Sequence, residues 1–463
     1  MERLSTGNDR LDAILDGGLV LNSITLVIGA PGTGKTLLAE QCVFANASAE
    51  RPGLYLSTVS EPLDKLLRYG QSLQFFDAGQ VERSVFYDEL GSVLDEEGLP
   101  GALDRIDMLI KERRPGVVVI DSFKALRAFA GNEADFRRFL HELTGRLTAL
   151  AISSLWIGEY AASDAIASPE FGVADAVIDL ATKHTGERSI RYLSVLKLRG
   201  SDFASGEHSY RLSSNGLTVY PRLADTRDDS AFEPGAERLS TGIPALDEAL
   251  GDGYWSGSAT LIAGPSGAGK TLMGLHFLYS GAARGEPGIL VTLQESRSHL
   301  TRIVEGFGWS LANPMIMVMD RSPVDVLVDE LVYDVLACID KTGSRRIVID
   351  SLNDLEFAAT DAVRFREFSY SLVQRLARAE ISILFTLEVP ELFRITRLGE
   401  LGVSHIADNV VLLQHFHSGN EMKRAVTVLK TRGASHISTV REFHITSEGI
   451  TLGETLDLET LIH

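Results

Sequence analysis

The sequence predicts an α/β protein built as two tandem domains, each a mostly parallel sheet flanked by helices. Three observations predict it. Arg3-Leu4-Ser5-Thr6-Gly7 recurs as Arg238-Leu239-Ser240-Thr241-Gly242, an offset of 235 residues. The same offset carries the glycine-rich run Gly29-Ala30-Pro31-Gly32-Thr33-Gly34-Lys35-Thr36 onto Gly264-Pro265-Ser266-Gly267-Ala268-Gly269-Lys270-Thr271. In both halves, short β-branched runs alternate with longer amphipathic stretches, which is the pattern of parallel strands joined by crossover helices.

The repeat continues to the ends of the chain. Val118-Val119-Ile120-Asp121-Ser122 matches Ile347-Val348-Ile349-Asp350-Ser351, and Leu196-Lys197-Leu198-Arg199-Gly200 matches Leu429-Lys430-Thr431-Arg432-Gly433. A period this long means duplicated domains, since solenoid repeats run ~20–50 residues. The polar, acidic stretch 225–236, broken by Pro234-Gly235, reads as a linker. The expected domains are therefore 1–224 and 237–463.

Each element has its own local reason. Ser23–Ile28 reads as a strand entering the glycine-rich loop, and Thr36–Glu40 as the start of the helix that leaves it. Leu54–Leu56, Val117–Ile120 and Ser154–Ile157 read as further strands, with counterparts at Ile289–Val291, Arg346–Ile349 and Ser382–Phe385. Trp156 falls in a core strand, and His415-Phe416-His417 continues a strand begun by Val410-Val411-Leu412-Leu413.

Composition narrows the function. Of 463 residues, 44 are Lys or Arg and 63 are Asp or Glu, a formal charge of −19. Such a field repels phosphate backbones, so a broad nucleic-acid binder is not expected. The two cysteines, Cys42 and Cys338, and the scattered histidines have no zinc spacing and offer no disulfide framework. No secretory signal and no uncharged apolar run of ~18 residues is seen, so a cytoplasmic protein without membrane association is expected.

The glycine-rich runs carry the strongest chemistry. Both satisfy G-x-x-x-x-G-K-[ST], whose backbone N–H groups cradle phosphate oxygens at a helix N-terminus. Lys35 and Lys270 are expected on the β- and γ-phosphates, and Thr36 and Thr271 on Mg²⁺. Asp121 and Asp350 end β-branched runs and can orient the ion or its waters; capping the next helix is the alternative. After the next strand, Glu295 is a candidate catalytic base, aligned with Ser60. Copy one offers only Glu61, shifted by one position. Lys197/Arg199 and Lys430/Arg432 sit at i and i+2, which on a strand share one face and suit phosphate recognition, or simply blunt an edge.

Taken together, the paired phosphate loops, strand-end aspartates, acidic turn and Lys-x-Arg elements resemble the KaiC family of RecA/DnaB-like ATPases, across essentially the whole chain. The resemblance implies a hexameric double ring with ATP between neighbouring subunits, where Lys197/Arg199 and Lys430/Arg432 reach a neighbour's nucleotide. It also implies ATP hydrolysis, autophosphorylation on the second domain and a signalling partner. Departures fall at defined places. The family's paired glutamates read Val59-Ser60 in copy one and Gln294-Glu295 in copy two, and its Ser-Thr phosphoacceptors map onto Ser404-His405. A two-site phosphorylation cycle is therefore not expected, nor is the longer regulatory tail of clock members expected after His463. The asymmetry assigns slow or static Mg-ATP binding to domain one. Turnover, by water or Ser404, goes to domain two. A nucleic-acid motor or recombinase of the wider RecA/DnaB group is the alternative, opposed by the net charge.

Overall fold

The computed structural model describes residues 2–58, 63–223, 237–359, 361–389, 406–418, 420–433 and 436–456. The chain divides into two compact units, Met1–Thr226 and Arg227–His463. The expected linker, 225–236, lies outside the described residues.

In the first unit a nine-stranded sheet runs in the order Gly216–Tyr220, His208–Ser213, Arg188–Leu198, Ala176–Thr185, Ile24–Gly29, Ser153–Gly158, Val117–Asp121, Gly53–Ser57 and Val85–Glu89. From Ala176–Thr185 onward neighbouring strands are parallel; the first three form an antiparallel extension. The second unit repeats the topology through Ile316–Asp320, Gly288–Thr292, Arg346–Asp350, Ser382–Glu388, Ala259–Gly264, Asn409–Ser418, Glu421–Thr431, Arg441–Thr446 and Gly449–Thr455. The strands expected from the sequence fall on these elements, with Ser23 one residue ahead of Ile24–Gly29.

Both faces of the central strands are buried, which is why they read as continuous apolar runs rather than alternating ones. In domain one the pleat sends Leu26, Ile28, Val118, Ile120 and Trp156 into one core. Val27, Val119, Leu155 and Ile157 go to the other, which also receives the helix Lys35–Asn46 through Leu38, Cys42 and Val43. Trp156 is fully buried and stacks on Phe123 with ring centroids 4.0 Å apart.

The repeated Arg-Leu-Ser-Thr-Gly pentapeptide is a clamp. Asp12 accepts Ser5 Oγ at 2.7 Å and the Thr6 N–H at 2.8 Å; Asp247 accepts Ser240 Oγ at 2.5 Å and the Thr241 N–H at 2.7 Å. In domain two the fully buried Arg346 extends it, donating to the Ser240 and Phe277 carbonyls at 2.8 Å each and to Glu286 Oε2 at 2.7 Å. A guanidinium is tolerated at such depth only when paired and hydrogen-bonded. Among the described residues, no helix is long and apolar enough to cross a membrane.

Candidate nucleotide sites

In a parallel sheet every strand of the set leaves at the same edge, so the loops that follow converge. The glycine-rich loops emerge there, after Gly29 and Gly264, and turn directly into the helices Lys35–Asn46 and Lys270–Ala282. Gly34 and Gly269, with φ of 93° and 100°, occupy the left-handed region at the helix entry, where a side chain would be strained. Gly29 also admits no side chain, since a Cβ would lie 2.2 Å from the Leu180 carbonyl oxygen.

The loop side chains fold onto their own backbone. Lys35 Nζ donates to the Ala30 carbonyl at 2.9 Å and Lys270 Nζ to the Pro265 carbonyl at 2.8 Å. Both ammonium groups therefore lie across the mouth of their loop, where phosphate oxygens would replace the carbonyl as acceptor. Burial pulls both lysines below their usual range, opposed by Glu159 and Asp121 at Lys35 and by Glu388 and Asp350 at Lys270.

Thr36 Oγ1 donates to Asp121 Oδ2 at 2.8 Å, and Thr271 Oγ1 to Asp350 Oδ2 at 2.6 Å. Each bond ties the phosphate-loop helix to the end of a strand two places away in the sheet. In the helices that follow, the N-cap positions are Ser122 and Ser351, neither making a side-chain cap bond, so the aspartates do not occupy the cap. Hydroxyl and carboxylate oxygens brought to one point are hard donors suited to Mg²⁺, which takes few protein ligands alongside phosphates and water. Among the described residues no three His, Cys, Asp or Glu side chains gather to hold a metal. The threonine–aspartate pairs, by their donor chemistry, fit the ion.

Beyond this shared frame the domains differ. In domain one, Tyr55 Oη donates to Asp121 Oδ2 at 2.7 Å, and Tyr87 Oη to the buried Glu40 at 3.4 Å. Glu40, Tyr55 and Glu159 join Lys35, Thr36 and Asp121 in a cleft of about 530 Å³. The repeat places Leu275 and Leu290 at the positions of Glu40 and Tyr55. In domain two, Asp350 is held instead by the buried Thr386 hydroxyl. None of Glu40, Tyr55, Glu159, Thr386 and Glu388 was singled out in the sequence; only Glu40, one helical turn after Thr36, left a local signal there.

The acidic turn is well defined in domain two. Gln294 and Glu295 follow the strand Gly288–Thr292 and line a cleft of about 390 Å³ with Asp320 and Arg321. The Leu293 N–H bonds the Asp350 carbonyl at 2.9 Å, anchoring this turn beside the aspartate, and the Glu295 charge is felt by Asp350. Val59, Ser60, Glu61 and Ser404 lie outside the described residues.

Lys197/Arg199 and Lys430/Arg432 are not near their own phosphate loops. Lys197 Nζ and Arg199 Nη2 both reach the Gly172 carbonyl, at 3.3 and 3.1 Å. The Arg199 N–H bonds the Asp175 carbonyl, whose own N–H bonds the carbonyl of Ile24, the first residue of the strand that ends at Gly29. Asp408 links Arg432 to Ala259 in the same way, and Lys430 Nζ donates to Ala407 at 2.6 Å. Five strand residues, about 16 Å, separate each cationic pair from its own loop. Burial and the neighbouring arginine lower both lysines.

Burial also pushes the Asp350 carboxyl up, against the hydrogen bonds of Thr271 and Thr386. An acid whose pKa rises on folding stabilises the fold at low pH, and that contribution is lost as pH climbs through the folded value. Without Mg²⁺ at neutral pH, Asp350→Asn should therefore raise the melting temperature of the second domain, by on the order of a few degrees. It should at the same time abolish Mg-dependent nucleotide binding there. Thermal melts with and without Mg-ATP check both signs.

The KaiC ATPase family model matches residues 4–224 and again 239–457. The chain is 29% identical to the circadian clock protein KaiC3 of Synechocystis sp., covering 98% of this chain and 92% of that one. It is 29% identical to the circadian clock oscillator protein KaiC of Rippkaea orientalis, over 98% and 89%, and 28% identical to that of Synechococcus elongatus, over 96% and 88%. With two KaiC ATPase domains spanning nearly its whole length, the chain belongs to the KaiC ATPase family.

Proposed function

We propose that the protein is an oligomeric KaiC-type ATPase whose two domains divide holding and turnover of ATP, as part of a signalling or timing switch. In domain two, Lys270 and the loop N–H groups grip the phosphates, and Thr271 and Asp350 would hold Mg²⁺, which would supply neutralisation of phosphate charge. Glu295 takes the proton of the attacking water as its oxygen bonds the γ-phosphorus and the bond to the β-phosphate oxygen breaks. In domain one the same frame binds Mg-ATP through Lys35, Thr36 and Asp121, without a glutamate aligned with Glu295. The assignment to a switch is carried over from the clock proteins to which the chain is similar. The net charge of −19 opposes a nucleic-acid motor.

One observation supports the oligomer most. Each Lys-x-Arg pair lies at the opposite edge of the sheet from its own phosphate loop. If these cations serve ATP, they serve a neighbour's, and each site is completed by a second subunit, as in a hexameric double ring. Lys270→Ala and Arg432→Ala should then each be inactive in domain-two turnover. Mixing them in equal amounts should restore about a quarter of wild-type activity, because random assembly pairs an intact loop with an intact arginine at that frequency. No recovery in demonstrably mixed oligomers would mean that Arg432 does not act across subunits.

Ser404, outside the described residues, is assigned as a second acceptor of the γ-phosphate on the resemblance of its sequence position. Incubation with Mg-ATP should place phosphate on the peptide that contains it, and Glu295→Gln should remove that phosphate. Peptide mass spectrometry reads both.

A further inference from the structure

The side chain nearest the chemistry of Glu295 belongs to His299. Glu295 precedes the helix Arg297–Gly306, whose N-cap is Ser296. Ser296 Oγ accepts the His299 N–H at 3.3 Å, which puts His299 in the third helical position. A Glu or Gln there usually reaches back to the N-cap backbone. Here the imidazole reaches one residue further, and its Nδ1 hydrogen-bonds Glu295 Oε2. The backbone of Glu295 is fixed as well, its N–H donating to Thr292 Oγ1 at 3.1 Å.

From this geometry we propose that His299 is a positioning residue for Glu295; the inference rests on Glu295 being the base of domain two. An ionised carboxylate only accepts hydrogen bonds, so the shared proton resides on Nδ1. The bond occupies Oε2 and fixes the carboxylate rotamer. Among the described residues no hydrogen bond engages Oε1, which is left to receive the proton of the nucleophile. The groups around the pair are Asp350, which feels the Glu295 charge, and Asp320 and Arg321, which line the same cleft.

The repeat supplies an independent argument. At the offset that aligns the two phosphate loops, Glu295 corresponds to Ser60 and His299 to Asp64. The copy with the carboxylate has the imidazole. The copy without it carries an acid in the imidazole's place, which would repel a carboxylate rather than hold one. A helix-capping role alone would not link the two substitutions, since Asp64 suits the first turn of its own helix Leu63–Gly70 equally well.

Steady-state ATP turnover by the full-length chain tests this, with His299→Leu, His299→Asn, Glu295→Gln and His299→Leu/Glu295→Gln. His299→Leu should lower kcat about tenfold with KM for ATP within about twofold, the mark of a group that orients a base without binding substrate. His299→Asn, which returns an N–H near the place of Nδ1, should recover most of the loss. In the Glu295→Gln background His299→Leu should cost nothing further, because its effect runs through the carboxylate. An equal loss in both backgrounds would mean that His299 serves the helix, and overturns the proposal. So would normal turnover in His299→Leu where Glu295→Gln is impaired; that result leaves the base assignment standing. Normal turnover in Glu295→Gln itself removes the base assignment and this inference with it. If His299→Leu does not fold, His299→Gln, whose donor sits at the place of Nε2 instead, is read against the same outcomes.

Discussion

The hydrogen bond between the phosphate-loop threonine and the strand-end aspartate is the interaction on which both sites depend. Thr36 and Asp121 are far apart in the chain, as are Thr271 and Asp350, and in each case one strand lies between theirs in the sheet. They meet only because the strands are parallel and in register, Asp121 pairing with Ile157 and Ile28 with Gly158. That register rests on burial of both faces: Leu26 and Val27, or Val118 and Val119, point into opposite cores, so a slip of one residue would exchange them. The geometry available for Mg²⁺ and phosphate is therefore set by core packing well below the surface.

On this common frame the two domains carry different chemistry. Domain one holds its aspartate with the Tyr55 phenol and adds the buried Glu40, itself bonded by Tyr87, to the cleft. Domain two has leucines at the positions of Glu40 and Tyr55, and holds its aspartate with the Thr386 hydroxyl. Its acidic turn carries Glu295 and is anchored beside the aspartate through the Leu293–Asp350 backbone bond. The duplicated scaffold has thus kept the lysine, threonine and aspartate of the loop frame in both copies while varying the side chains around them.

Much of this was legible in the sequence, for physical reasons that differ by element. β-Branched runs bounded by Gly and Pro marked the central strands, and the repeat doubled each signal. Asp121 and Asp350 were legible because each ends a β-branched run and recurs beside a matched phosphate loop, which set them apart from ordinary helix caps. The rest depended on partners far away in sequence. Arg346 opens an expected strand with no partner marked in the sequence; it is fully buried and paired with Glu286, 60 residues earlier. Tyr55 reads as core, and its hydroxyl matters only because Asp121 lies opposite. His299 carries no metal spacing, and its role shows only once the turn at Glu295 folds back onto the helix.

The central claim, a domain that holds ATP beside one that consumes it, is tested most directly by the nucleotide content of the protein itself. After incubation with Mg-ATP and rapid removal of free nucleotide, the protein is denatured and its bound ATP and ADP are counted per chain. The account predicts one retained ATP per chain together with ADP from domain two, and retention of ATP in both domains when Glu295 is changed to Gln. ADP in both domains of the wild-type protein, unaffected by Glu295→Gln, would contradict it.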